Sequence, residues 1–183
     1  MTKGKNYSYY AEEITNYQYY VEGKNEKALL STLKSELRCI RSGKIDIFNV
    51  VQSKFIITRI RTLRPNTTVV FVYDTDTDNI AILQQNLDFL KDQTAIKEIV
   101  CVPQVTNLED ELIRSCQLRN IGELTHSNSK RNYKRDLNCC TNLGSRLKKC
   151  KFDLSKFWSC IPGNNFKVFG NDSASIKIPG PSI

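Results

Sequence analysis

Four acidic residues stand where apolar runs give way to turns. Glu22 follows the aromatic and β-branched run Tyr17 to Val21, and Asp74, Asp76 and Asp78 follow Thr67 to Tyr73 as D-T-D-T-D. Alternate residues of an extended segment point the same way, so these aspartates can present their oxygens together. Carboxylates crowded like this repel one another unless a cation sits among them. Mg²⁺, a hard ion that takes a few carboxylates and keeps several waters, suits such a set, and Mn²⁺ has the same ligand preference. An ion held this way neutralises charge on phosphoryl oxygens, so the chemistry within reach is the making or breaking of phosphate esters.

Rival readings of the aspartate run fail on their neighbours. A haloacid-dehalogenase-type phosphatase wants Thr or Val four residues after its first Asp, where this chain has Asp78. A calcium loop wants Gly at its sixth position and Glu at its twelfth, where Asn79 and Gln85 stand. A phosphotransfer receiver would carry a lysine after a later strand, and Val102-Pro103-Gln104 offers none. Asp78 also fits as a cap for the helix that follows it. A thiolate zinc site is not expected, because Cys139, Cys140, Cys150 and Cys160 contain no C-x-x-C pair and His126 is the one histidine.

The elements that must position these acids alternate along the chain. Tyr17 to Val21 is a strand, and Asn25 to Ile40, with Leu29, Leu30, Leu33, Leu37 and Ile40 at helical spacing, is an amphipathic helix. Lys44 to Val51 is a second strand. Lys54 to Leu63 is ambiguous between strand and helix, because its apolar stripe is helical and its β-branched content is not. Thr67 to Tyr73 is a nearly continuous apolar run, as in a central parallel strand buried on both faces. A helix over Asn79 to Gln93, a strand over Glu98 to Val102 closed by Pro103, and a helix over Leu108 to Cys116 complete the series. This alternation predicts an α/β fold with a mostly parallel sheet flanked by helices. In such a sheet the loops at the carboxyl ends of the strands converge on one edge, where Glu22 and the aspartates lie.

With 183 residues the chain is expected to form one domain, over 1–116, with a basic helical appendage over 117–169 and a Gly-, Ser- and Pro-rich flexible tail over 170–183. The net charge of +8 suits a polyanionic partner. Lys130, Arg131, Lys134, Arg135, Arg146, Lys148, Lys149 and Lys151 would grip a nucleic-acid backbone, with Tyr133 or Trp158 free to stack on an unpaired base. The alternative for this segment is a solvated amphipathic helix packed on the sheet. The polar start of the chain lacks the apolar stretch of a secretory signal, nothing approaches a membrane-spanning length, and the seven irregularly spaced cysteines suit a reducing environment. A cytoplasmic protein is expected, with no membrane partner.

The apolar strand ending in Glu-Gly (YYVEG, Glu22), then a helix, then VVFVYDTD with Asp74 and Asp76, resembles the Toprim family over roughly Tyr17 to Asn107. That family includes topoisomerases, bacterial primases, maturation ribonucleases and OLD-type nucleases. The resemblance implies that Glu22 is the catalytic glutamate and that Asp74 and Asp76 form a Mg²⁺-binding D-x-D. OLD-like members add downstream carboxylates for a second ion, which here points to Glu109, Asp110 or Glu111; otherwise these three simply complement the dipole of their helix. Topoisomerases and primases need further domains that this chain is too short to hold. The resemblance therefore implies a small metal-dependent nuclease of the kind found in bacterial phage-defence or toxin-like systems, beside an ATPase partner. The alternative is a non-catalytic subunit that uses the same fold to bind a partner or nucleic acid.

Overall fold

The computed structural model describes residues 15–179. Four strands, β1 (Asn16–Val21), β2 (Lys44–Ile47), β3 (Thr67–Asp74) and β4 (Ile96–Gln104), form one sheet in the order β2-β1-β3-β4, and every pairing is parallel. The α/β class expected from the alternation is the class found. β3, whose residues from Thr67 to Tyr73 are all buried, lies inside the sheet, because only an interior strand can bury so unbroken a run of Val, Phe and Tyr.

Helix α1 (Lys24–Ser35) follows β1, the short α2 (Ile57–Ile60) precedes β3, and α3 (Ala81–Lys91) links β3 to β4. The ambiguous stretch Lys54 to Leu63 is thus a single helical turn. Beyond β4 come α4 (Leu108–Ser115), α5 (Gly122–Thr125), α6 (Lys130–Asn138) and α7 (Leu143–Lys149), then 3-10 turns at Asn165–Phe169 and Ser173–Ser175. Strand alternation divides the core in two. Tyr19, Val21, Val70, Val72, Val100 and Val102 face α1 and its neighbours, while Tyr20, Val69, Phe71, Tyr73 and Cys101 face the side covered by Leu83, Leu87 and Leu90 of α3. α1 covers one face and α2 and α3 the other, as crossovers of one hand require when the direction of strand addition reverses between β2 and β3.

The segment 117–158 is built into the first of these cores, and Phe166 and Phe169 pack on the second. Tyr133, Leu137, Leu143, Leu147, Phe152, Phe157 and Trp158 are buried in the same cluster as the sheet valines. In place of the loose tail expected over 170–183, residues 172–178 are bonded to the sheet side of the fold. The Asp172 N–H donates to the Cys101 carbonyl at 2.8 Å and its carboxylate accepts from the Cys101 N–H at 3.1 Å. Ile176 is fully buried, and Lys177 forms an antiparallel bridge with Ile40. Residues 180–183 of that tail, and the polar lead-in before Thr15, lie outside the described residues. Asp172 occupies the open edge of β4, which blunts it against pairing with another chain. Cys101 turns its main-chain groups outward to Asp172, so Pro103, two residues on, also faces outward, where a missing N–H costs no ladder bond.

Among the described residues no helix is long and apolar enough to cross a membrane, and all seven cysteines are free.

Candidate functional site

In the strand order 2-1-3-4 the connections leave β1 and β3 in opposite directions, so the crevice of the sheet opens between their carboxyl ends. Glu22 directly follows β1 and Asp74 is the last residue of β3, with Val21 level with Val72. Alternation sends Asp74 to the face of Val70 and Val72. Gln104 of β4 is its register partner and points the same way. On that face Asp74 meets the first turn of α1 with Glu26 and the first turn of α4 with Glu109, and Tyr133 of α6 stands near those two glutamates.

Burial and crowding dominate the electrostatics. The Asp74 carboxyl is pushed up to about 8, first by burial and then by Glu22, Glu26, Asp76 and Glu109. Glu22 is also pushed up by burial, with Asp76 adding; the Asp74 main-chain N–H, Lys134 and the Asn49 amide act the other way. Asn49 is free to do so, because its Oδ1 already accepts from the Val51 and Gln52 N–H groups and only its NH₂ remains. Burial raises Glu26 as well, with Glu22 and Glu109 adding, while its own N–H and that of Gly23 oppose. Glu26 stands three residues after Gly23, the N-cap of α1, and so forms the reaching-back half of a capping box. A Cβ on Gly23 would lie 3.0 Å from Glu26 Oε2, so a larger residue there would push that carboxylate slightly aside. Glu26 thereby serves its helix as well as standing among the acids.

Of the residues expected to act, Glu22, Asp74, Asp76 and Glu109 fall in one electrostatic set. Asp78 does not. The strand ends at Asp74, Thr75 turns inward and is buried, and Asp78 is exposed and absent from the acids that act on Glu22 and Asp74. Nor does Asp78 cap α3, since Asn79 accepts from the Ala81 N–H at 3.1 Å. The three acids opening α4 also separate. Glu109 is buried and faces Lys134 at 3.4 Å. Asp110 is half-buried, and its N–H is taken by the Asn107 cap at 3.0 Å. Glu111 is wholly enclosed, accepting from Val105 N, Arg114 Nη2 and Trp158 N.

Among the described residues no three acidic, histidine or cysteine side chains converge closely enough to hold an ion as they stand. Unpartnered polar atoms nevertheless surround the acids: Asp74 Oδ1, Glu109 Oε1, the Tyr133 hydroxyl and both amide atoms of Gln104 are buried without a hydrogen bond. Glu109 Oε1 has the Lys134 charge nearby at 3.4 Å, which is an ion pair and not a well-formed hydrogen bond. Orphans of this kind are rare, and their gathering beside the acids is what a site that takes a polar ligand or ion would show. The donors are hard oxygens, so the set fits Mg²⁺ or Mn²⁺ in its chemistry.

The Asp74–Asp78 loop is clamped from two sides. Thr75 donates its N–H to the Gln104 and Thr106 carbonyls, both at 3.1 Å, and its hydroxyl to the Gln104 carbonyl at 3.0 Å. From far along the chain, Asn164 Nδ2 donates to the carbonyls of Thr75 at 2.8 Å and Thr77 at 3.1 Å, and Asn165 Nδ2 to that of Asp78 at 3.0 Å. Phe166 anchors this strap by packing on Tyr73, with ring centroids 5.6 Å apart.

The basic residues do not form one surface. Lys134 turns to the carboxylates, Arg135 pairs with Asp136, and Arg146 donates to Asn142 and to the Leu124 carbonyl. Arg131, Lys148 and Lys149 are exposed, and the side chain of Lys130 lies outside the described residues. Tyr133 and Trp158, expected to stack on bases, are fully buried and take no part in an exposed stacking platform. Sequence reasoning missed Glu26, Asn49 and Asn164. For Glu26 a signal existed, since it stands one helical turn after Glu22; the two asparagines act through tertiary contacts that leave no local pattern. No family model, curated protein or solved structure matches this chain.

Proposed function

We propose that the chain is a Mg²⁺-dependent nuclease of Toprim type that cleaves nucleic-acid phosphodiester bonds. The observation that carries this reading is the meeting of Glu22 and Asp74, from the two signature motifs, at the switch point of a parallel sheet, with Asp76 and Glu109 in the same electrostatic set. Asp74 and Asp76 would hold the ion, with Glu26 and Glu109 available to a second. When bound, the metal supplies charge neutralisation on the scissile phosphate. Glu22, steadied by Asn49, would move the proton at the attacking or leaving oxygen. Lys134 places a positive charge beside the site that can meet a phosphate oxygen once a cation satisfies Glu109. The resemblance of the two motifs further supports a cytoplasmic effector of a bacterial anti-phage or toxin-like system that works with an ATPase partner.

The direct test is cleavage of single-stranded and duplex DNA and RNA in Mg²⁺ or Mn²⁺, alone and with any partner protein. Glu22→Ala and Asp74→Ala are expected to cut the rate about 100-fold or more while leaving circular dichroism unchanged. Equal cleavage by wild type and both variants would sink the reading. A second reading, a non-catalytic subunit of the same fold, draws on the Lys134–Glu109 pair and on the absence of a ready-made triad among the described residues. It expects nucleic-acid binding that survives both substitutions and falls steeply with salt.

The strap offers a separate check. If Asp74 and Asp76 hold the ion, Asn164→Ala should weaken Mn²⁺ binding about 10-fold in calorimetry, as loss of an outer-shell partner does. Asn165→Ala, which frees only the Asp78 carbonyl, should weaken it less. Unchanged affinity in Asn164→Ala would remove the clamp from the account.

A further inference from the structure

At the other end of α1 the chain builds a second concave site, with a volume of about 990 Å³. It lies between the end of α1 and the start of β2, at the amino edge of the sheet. That is roughly 18 Å from Glu22, the length of the 12 residues of α1 at about 1.5 Å each. Four cations, Arg38, Lys148, Lys151 and Lys177, line it above a floor that includes Leu37, Phe152 and Ile178. The acid of the lining, Asp153, is already engaged by the Ser155 N–H and hydroxyl and by Lys156.

Helix ends alone do not account for this charge. Arg38 follows α1 and Lys151 follows α7, where a cation complements the helix dipole. Both hold left-handed backbone, with φ of 52° and 53°, a conformation that Gly would adopt without strain. Lys148, in the last turn of α7, complements the same dipole, whereas Lys177 follows only the 3-10 turn Ser173–Ser175. They arrive from α7 and the C-terminal segment, and Lys177 is held by the Phe157 carbonyl. Like charges brought to one hollow from separate segments destabilise it unless a polyanion binds there.

We propose that this groove binds a nucleotide phosphate, with the sugar or base against the apolar floor, as a free nucleotide or as the end of a strand. Its volume matches that of a small-ligand site. A peptide that adds as a strand is disfavoured, since that mode needs free main-chain groups. Here the main chain of Cys39–Arg41 is already paired, Arg41 N–H with the Ile176 carbonyl and Cys39 carbonyl with the Ile178 N–H. The proposal is independent of the carboxylates at the other edge.

The test is calorimetry in EDTA, which silences any metal-dependent cleavage, with AMP, a 5′-phosphorylated hexathymidylate and its unphosphorylated counterpart. Binding of AMP or of the phosphorylated strand is expected to weaken about tenfold in Lys148→Glu and in Lys151→Gly, and to weaken further with salt. Lys151→Gly removes the charge while keeping the backbone conformation, so a loss there is not a folding defect. AMP binding identifies the free nucleotide as ligand. Preference for the phosphorylated strand over both other probes identifies a strand end. No binding of either phosphate probe, binding indifferent to both substitutions, or tighter binding of a hexaglutamate peptide would overturn the proposal.

Discussion

Asp74→Asn is expected to stabilise the metal-free protein at pH 8 while abolishing its response to Mn²⁺. The Asp74 carboxyl is pushed up to about 8 by burial and by four neighbouring acids, whereas in the unfolded chain it titrates near 4. Between those two values the folded state holds a proton that the unfolded state has lost, so stability falls as pH rises. The slope approaches about 1.4 kcal/mol per pH unit, and the loss is complete once pH passes the folded value. Asparagine has no proton to lose, so its melting temperature should decline less steeply than that of wild type, the remaining slope coming from Glu22 and Glu26, which burial also raises. The gain should be roughly 2–4 °C for each kcal/mol recovered. If the site holds Mn²⁺ as proposed, the ion should raise the melting temperature of wild type, and the same substitution, which removes a ligand charge, should abolish that rise. Scanning calorimetry from pH 5 to 8, with and without Mn²⁺, reads both effects. A variant less stable than wild type at pH 8 would mean that Asp74 is a structural acceptor and not a crowded acid.

Glu111→Ala should be the most damaging single change in α4. Its carboxylate is fully enclosed, with Oε1 accepting from Val105 N at 2.9 Å and Arg114 Nη2 at 2.5 Å, and Oε2 accepting from Trp158 N at 2.9 Å. It therefore ties the β4–α4 loop and its own helix to the aromatic segment Phe152–Trp158. Alanine would leave two N–H donors without their acceptor and a half-buried guanidinium without its counter-charge. Removing one partner of such a group costs about 3–5 kcal/mol. Glu111→Gln, which keeps one acceptor oxygen but drops the charge, should lie between. Urea unfolding reads the difference, and a loss under about 1 kcal/mol for alanine would show that water replaces the carboxylate. Glu109→Ala should be mild in stability by contrast, because its Oε1 has no hydrogen bond to lose.

That contrast shows where sequence reading reached its limit. Thr67 to Tyr73 announces an interior strand because seven residues in succession are apolar or β-branched, and Glu22 and Asp74 follow from where two such runs stop. Glu109 and Glu111, two positions apart in one acidic helix start, look alike in sequence. Only the arrival of the Trp158 main chain, 47 residues on, makes one structural and leaves the other facing Lys134. Tyr133 and Trp158 were obscured by company, since the lysines and arginines around them suggest a solvated face while their rings fill the core over α1. Asp78 failed for a local reason: alternation carries side-chain direction only as far as the strand does, and the strand ends at Asp74.

The clamp on the D-T-D loop also orders events during synthesis. Asn164 lies 89 residues after Thr75, so at about 5–20 residues per second the ribosome needs some 4–18 s to supply it after the loop has been made. Through that interval a nascent chain can pair β1, β2 and β3 while the carbonyls of Thr75 and Thr77 still lack their asparagine. Chains halted before Asn164 would carry all the acids of the cluster without the strap that fixes the loop bearing two of them. On the proposed nuclease reading, such a delay would keep unfinished copies from harming the cell that makes them.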